Sequence, residues 1–253
     1  MEGTLMVAGL AFRTLLAASC LLPVATSSLS EEGSQEWNWC HRSESVDLTI
    51  NGCTALIQSG RYTRDDLVRA FLARGIAYHE RGDTVRAFQD FNEAIRLAPT
   101  FNQGFYERGR TYRLLGDTVR AIQDLDKAVQ LDPTWSFGYG ERGKAYRDSG
   151  DLARAIQDFD EALRLNPGDN FARYNRAILY RDNGDTPSAI QDFDEIINRQ
   201  DELLRRHGNQ AVFLYLRGLA KQGRGDAAGG AADIAAAKAI KDNVAERFWR
   251  LAR

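Results

Sequence analysis

Two residue types recur along this chain at positions where they could do ionic or acid–base work. Asp90, Asp124, Asp158 and Asp192 occupy one position of a repeating pattern, and Arg74, Arg108, Arg142 and Arg176 occupy another. A carboxylate can act as a general acid or base when its neighbours tune it. A catalytic group is needed once, however, and these return in register four times. Their simplest role is structural: an Arg–Asp ladder between the helices of each repeat and the next. A second stretch, Gly138-Tyr-Gly-Glu-Arg-Gly-Lys-Ala, fits Gly-x-Gly-x-x-Gly and nearly fits a phosphate loop. Those motifs need a preceding strand to form the backbone cradle. None precedes it, Ala145 stands where a magnesium-binding hydroxyl belongs, and Gly143 repeats at Gly109 and Gly75. His41, His79 and His207 are scattered, and none has a second ligand at metal spacing. No nucleophile has a base beside it. The residues therefore predict no catalytic group, no cofactor and no metal.

The elements that carry these residues follow a fixed beat. Gly-Asp stands at 82–83, 116–117, 150–151 and 184–185, a step of 34 residues. Around it return Gly75, Gly109 and Gly143 with Ala177 in fourth place, then Tyr78, Tyr112, Tyr146 and Tyr180, then Ala87, Ala121, Ala155 and Ala189. Phe91, Leu125, Phe159 and Phe193 follow, then Ala94, Ala128 and Ala162, then Pro99, Pro133 and Pro167. In the second copy, Phe105, Gly109, Tyr112 and Leu115 recur at intervals of three and four, one face of a helix. Gly116 ends it, where a left-handed residue costs least. Asp117 caps the next helix, which Ala121, Ile122, Leu125, Ala128 and Val129 line. Asp132-Pro133 stops that one, since the residue before proline disfavours the helical region. The small residues let the two axes approach. One such hairpin cannot bury its apolar face alone, so copies must stack.

The period and this order of Gly, Tyr, Ala, Phe, Ala and Pro resemble the tetratricopeptide repeat. Phe71, Phe105 and Tyr139 stand in for its usual early Trp. The resemblance covers about residues 64–240 and implies an all-α, right-handed superhelical solenoid of helix-turn-helix repeats. Four repeats are expected over 64–208 and a degenerate fifth over 209–242, where Lys221 replaces the Tyr and Gly229-Gly230 weakens the second helix. The fourth repeat lacks the closing proline, so its second helix is expected to run on to near Gly208. A capping helix is expected over 243–253, with Phe248 and Trp249 packed inward.

Of 253 residues, 43% are hydrophobic and 27% charged, ordinary values for a packed helical domain. The formal net charge of -2 gives no field that would attract nucleic acid. Residues 1–27 read as an export signal: Arg13, an apolar run from Leu15 to Val24, then small residues. The run is too short to span a bilayer. Cys20 in Leu-Ala-Ala-Ser-Cys also fits a lipid anchor, which is the only route to the membrane that the sequence suggests. Removal of the signal leaves Cys40 and Cys53, an even count that in an exported chain favours a disulfide; in a cytosolic chain they would be two buried thiols. Residues 28–63 are expected to form an N-terminal cap, with the bridge stapling 34–45 onto a helix at 46–58. Trp37 and Trp39 would cover the end of the stack, and Thr63 would cap the first repeat helix.

In tetratricopeptide proteins the first helix of each repeat lines a concave groove where ligands bind. The resemblance places that groove here on Leu72, Ile76 and His79, on Tyr106, Arg110 and Arg113, on Lys144 and Arg147, and on Tyr174, Ile178 and Arg181. The family's chaperone-tail clamp is not carried over, because its positions hold Leu72, Ile76, Tyr106 and Gly140. The basic residues interleaved with aromatics suit an acidic or C-terminal carboxylate-bearing peptide. The opposing reading is a solvated face offset by Asp148 and Asp182. The function expected is a non-enzymatic scaffold of the Gram-negative periplasm, or secreted, that binds a protein or peptide. Alternatives are an envelope-assembly adaptor tethered through Cys20, an accessory subunit that regulates an enzyme, and a catalytic site on the N-terminal segment near His41. On this reading, charge reversal at Arg113 and Arg147 weakens binding and leaves the stack folded.

Overall fold

The computed structural model describes residues 34–43, 45–208 and 210–245. Among these there are twelve helices and no strand. They are α1 (Gln35–Arg42), α2 (Val46–Ser59), α3 (Arg64–Glu80), α4 (Thr84–Leu97), α5 (Asn102–Leu114), α6 (Thr118–Leu131), α7 (Ser136–Ser149), α8 (Leu152–Leu165), α9 (Asn170–Asp182), α10 (Thr186–His207), α11 (Ala211–Arg224) and α12 (Ala227–Ile240). Each packs on the next in chain order, giving an all-α helical-hairpin solenoid. The export signal, Cys20, Phe248 and Trp249 lie outside the described residues.

The Gly-Asp pair makes each hairpin. Gly82, Gly116, Gly150, Gly184 and Gly225 adopt φ between 81° and 105°, which only glycine does without strain. The Asp83 N–H then donates back to Tyr78 O at 2.8 Å, and the same bond runs from Asp117 to Tyr112, Asp151 to Tyr146, Asp185 to Tyr180 and Asp226 to Lys221. This closes the first helix by the Schellman pattern. The same aspartates cap the second helix with their side chains, accepting from the N–H of Arg86, Arg120, Arg154, Ser188 and Gly229. Where that residue is arginine, its guanidinium lies over the repeat's tyrosine, 4.6 Å from the ring of Tyr78, 4.6 Å from Tyr112 and 4.4 Å from Tyr146. Thr63 and Asp66 form a reciprocal capping box at the start of α3.

Close approach of the two helices depends on the small residues. A Cβ built on Gly75 would sit 2.6 Å from the ring of Phe91, on Gly109 2.9 Å from Leu125, and on Gly218 2.8 Å from Ile234. Phe91, Leu125, Phe159 and Phe193 are fully buried there, each contributing about 1.5–3 kcal/mol of transfer free energy.

Beside this contact lies the ladder. Arg74 grips Asp90 through two N–H groups, both at 2.8 Å. Arg108–Asp124, Arg142–Asp158 and Arg176–Asp192 repeat the fork. The fork is therefore within each hairpin. The link to the preceding hairpin is the third guanidinium nitrogen, which donates to Thr54, Asn92, Asp126 and Asp160 in turn. The fifth unit has the same device in Arg217, forked on Asp233 and tied to Asp201. Lys221 adds a further contact to Asp233 at 2.9 Å. Sequence reading missed this fork because α10 is 22 residues long, against 14 for α4, α6 and α8, and the extra turns break the period.

At the N-terminal end, α1 and α2 form a hairpin of their own. The segment expected only to be stapled down is thus itself largely helical, capped by Ser34. The Cys40 and Cys53 sulfurs lie 2.08 Å apart. Trp37 is buried with Leu56 and Ala70, while Trp39 is half-buried.

Removing one partner from a buried fork strands the other charge, at a cost of about 3–5 kcal/mol. Asp158→Asn is expected to lower the unfolding free energy by about that much in urea titration. Arg164→Ala, which removes only the exposed pair with Glu161, leaves the midpoint unchanged. Equal effects would show that the fork is not a principal tie.

Candidate functional site: the first-helix face

The first helices of successive repeats meet one another: α3 touches α5, α5 touches α7, and α9 touches α11. The expected groove residues lie on these helices, but they are not equivalent. Leu72 is 4% exposed and belongs to the core with Val68 and Phe91. Ile76 and Ile178 are half-buried against neighbouring core clusters. Tyr106 packs on Trp135, ring centroids 4.7 Å apart, and burial pushes its phenol well above the ordinary range. Tyr174 meets Phe193 edge-on at 6.0 Å.

The basic residues are engaged with two carboxylates that sequence reading passed over, Glu107 and Glu141. Both are buried. Arg113 donates to Glu141 at 2.6 Å and to Asp148 at 3.0 Å, crossing from α5 to α7. Lys144 reaches the other Glu141 oxygen at 3.0 Å. Arg110 pairs with Glu107 at 3.2 Å. Arg147 bonds Asn175 across the next seam and Asp148 beside it. Arg181 bonds Asp182. The offsetting role expected of Asp148 and Asp182 is thus visible, and the largest offset comes from Glu107 and Glu141. The available signal was that 107 and 141 are one repeat position, filled by Glu twice and by Asn175 next.

Arg113 has only 8% of its side chain exposed. Its charge reversal would bury three carboxylate groups together, so the expectation that a change there spares the stack is withdrawn. Arg147 and Arg181 keep 32% and 47% of their side chains exposed.

The two glutamates are tuned oppositely. Burial raises the Glu107 carboxyl above its usual range, with Arg110 opposing only in part. Burial also pushes Glu141 up, but Lys144 and Arg113 overcome it and the carboxyl falls below its usual range. His79 stands where Arg113 and Arg147 stand in later repeats. Burial and the Arg110 charge lower its basicity, and its Nδ1 is buried without a hydrogen-bond partner.

Near the N-terminal cap, a recess of about 250 Å³ is lined by His41, Ser43, Thr49, Ile76 and Glu80 among others. His41 stacks on Trp37 at 4.1 Å, and its Nδ1 lies 3.2 Å from Trp37 O. Its Nε2 lies 4.0 Å from the sulfur of Cys40, a member of the Cys40–Cys53 pair. The glycine-rich decoy Gly138–Lys144 lies inside α7. Among the described residues, no three His, Cys, Asp or Glu side chains gather as metal ligands would.

Two tetratricopeptide-repeat family models match the chain, one over residues 141–202 and one over 103–135. The chain contains tetratricopeptide repeats. Solved structures agree on its fold. MamA superposes with a TM-score of 0.55 at 19% identity, over 63% of this chain and 91% of that one. A tetratricopeptide repeat protein from Parabacteroides merdae gives 0.58 at 20% identity, over 80% and 76%. The Cut9–Hcn1 hetero-tetramer of the APC/C gives 0.60 at 16% identity, over 81% of this chain and 39% of that chain. No curated protein sequence matches this one.

The opposite tuning of the two glutamates has a sign that can be measured. The folded Glu107 carboxyl holds its proton more tightly than the unfolded one, so its contribution is present at low pH and lost as pH rises through the folded pKa. Glu141 contributes above the unfolded carboxylate pKa and loses that as pH falls through its depressed value. Glu141→Gln is expected to cost about 3 kcal/mol at pH 7, a deficit that shrinks on acidification. The gap between wild type and Glu107→Gln moves towards wild type on acidification. Urea midpoints measured from about pH 3.5 to about 7.5, across the carboxylate titrations, check both. Gaps that move in the same direction would overturn the assignment.

Proposed function

We propose that this tetratricopeptide-repeat protein is a non-enzymatic scaffold that holds a protein or peptide on its first-helix face, centred on repeats three and four. The observation that carries the reading is the division of labour among the arginines. Arg113 is consumed by the Glu141 and Asp148 bridge, whereas Arg147 and Arg181 combine accessible guanidinium groups with half-buried Tyr174 and Ile178. Such a surface offers bidentate donors for a carboxylate beside apolar contact area, which suits an acidic or C-terminal carboxylate-bearing segment. Bringing a ligand carboxylate in would exchange the near-surface pairs with Asp148 and Asp182, which are worth little in water.

The proposal extends to the compartment. Close Cys40 and Cys53 sulfurs, together with the signal-like residues 1–27, support an exported protein whose N-terminal cap is locked by a disulfide.

Arg147→Glu with Arg181→Glu is expected to lower affinity for the native partner at least tenfold, equivalent to about 1.4 kcal/mol, in a chain that stays folded, the lost Arg147–Asn175 bond costing on the order of 1 kcal/mol of stability. The partner recovered on wild-type bait from the native envelope fraction serves as the ligand, and Arg154→Glu with Arg164→Glu is the outer-helix control. Unchanged affinity in the first pair sinks the first-helix reading.

Intact mass of the native protein, with and without reductant, tests the compartment. A chain starting near residue 28 and two hydrogens lighter before reduction is the expected result. A lipid-bearing start at Cys20 would make it a tethered adaptor instead, and a full-length reduced chain would overturn export.

A further inference from the structure

The seam between repeats one and two is built like its neighbours but lacks one part. At the seam between repeats two and three, a buried glutamate on α7, Glu141, receives Arg113 from α5, and Lys144 completes the set. The same glutamate position recurs one seam earlier: Glu107 is buried on α5, and Arg110 is its local partner, as Lys144 is for Glu141. The residue that should reach across from α3 is His79. It forms no ion pair with Glu107, and its Nδ1 is left buried without a partner. Asp148, the second acceptor of Arg113, has Leu114 as its counterpart, 37% exposed. Glu107 keeps 10% of its side chain exposed, against 2% for Glu141 beneath its arginine. The seam therefore presents a buried carboxylate, an opening onto it, and an apolar ledge beside the opening.

We propose that this opening is a subsite for a cationic side chain of the bound peptide, arginine above all, whose guanidinium takes the place that Arg113 fills at the following seam. The protein itself supplies the template for the complex. A guanidinium against Glu107 gains a charge-assisted bond in a site already shielded from water, and its aliphatic stem lies along Leu114. The raised Glu107 carboxyl agrees with a site where burial outweighs its one cation from the chain, Arg110, and no second cation reaches across from α3. The neighbouring Glu80 charge adds to the attraction.

This subsite rests on the reading that the first-helix face holds a peptide, and it deepens that reading: the ligand carries a basic residue for the first seam as well as an acidic group for Arg147 and Arg181. The test uses the full mature chain and N-acetyl-arginine methylamide as the probe, with the citrulline analogue as a neutral control of the same shape. Binding is read from the Glu107 side-chain carboxyl and Gly109 amide shifts by NMR. Saturable shifts are expected with the arginine probe, with at least fivefold weaker binding of the citrulline analogue. Glu107→Gln is expected to abolish the arginine preference. His79→Arg is expected to abolish it too, by supplying the guanidinium from within the chain, and to raise the urea midpoint. Equal binding of both probes, or an arginine preference that survives Glu107→Gln or His79→Arg, overturns the subsite. The Arg147 and Arg181 experiment is independent of this one, so loss of either reading is seen without the other.

Discussion

The structure depends on an arginine with three jobs. Each fork arginine binds an aspartate on the second helix of its own hairpin with two nitrogens, and uses the third to reach the second helix of the hairpin before. Taking such a pair out of water offsets much of what the ion pair gains, so its net contribution to stability relative to an apolar core is small. Its geometry is another matter. Helices lined by Ala, Gly and Phe at the same spacing could slide past one another by a turn at little cost in buried area. A planar fork that must meet its carboxylate within hydrogen-bond distance forbids the slide. Five forks in a row, from Arg74 to Arg217, fix five hairpins, and the third arm fixes each to its neighbour.

The arms are not uniform. Towards the N-terminus they end on Thr54 and Asn92, which are neutral, and later on Asp126, Asp160 and Asp201. On the first-helix face it is the donor that changes, from His79 at the first seam to Arg113 and Arg147 at the next two. The third arm thus ends on neutral acceptors at the early seams and on carboxylates at the later ones.

What the sequence disclosed is what repeats. Gly116 and Asp117 could be assigned to the end of one helix and the start of the next because cap chemistry is local and recurs every 34 residues. The Arg–Asp fork was visible as two positions in register, and its placement within one hairpin needed only the direction in which those helices face. The bridge from Arg113 to Glu141 was hidden for a different reason. It joins residues 28 apart across a seam, so it depends on how one hairpin sits on the next, which the period does not specify. A basic stripe read along α3, α5, α7 and α9 therefore overestimated the charge left for a ligand. The Arg217 fork was hidden by a break in the period, and the helical character of α1 by its short length of eight residues.

That break has a rule in it. The step from Gly184-Asp185 to Gly225-Asp226 exceeds the others by seven residues: α10 is eight longer than α8, and the link after it is one shorter. Seven residues make almost two whole turns and rotate the far end of the helix by only about 20°. Asp201 thus returns to the side that meets Arg217, and the fork arm forms about 10 Å further along the axis. Five extra residues would instead turn that side away by about 140°. The stack is sensitive to the angular phase of a helix and nearly indifferent to its length. Natural lengthening of this chain should therefore come in pairs of turns, leaving a ridge of known height wherever it occurs.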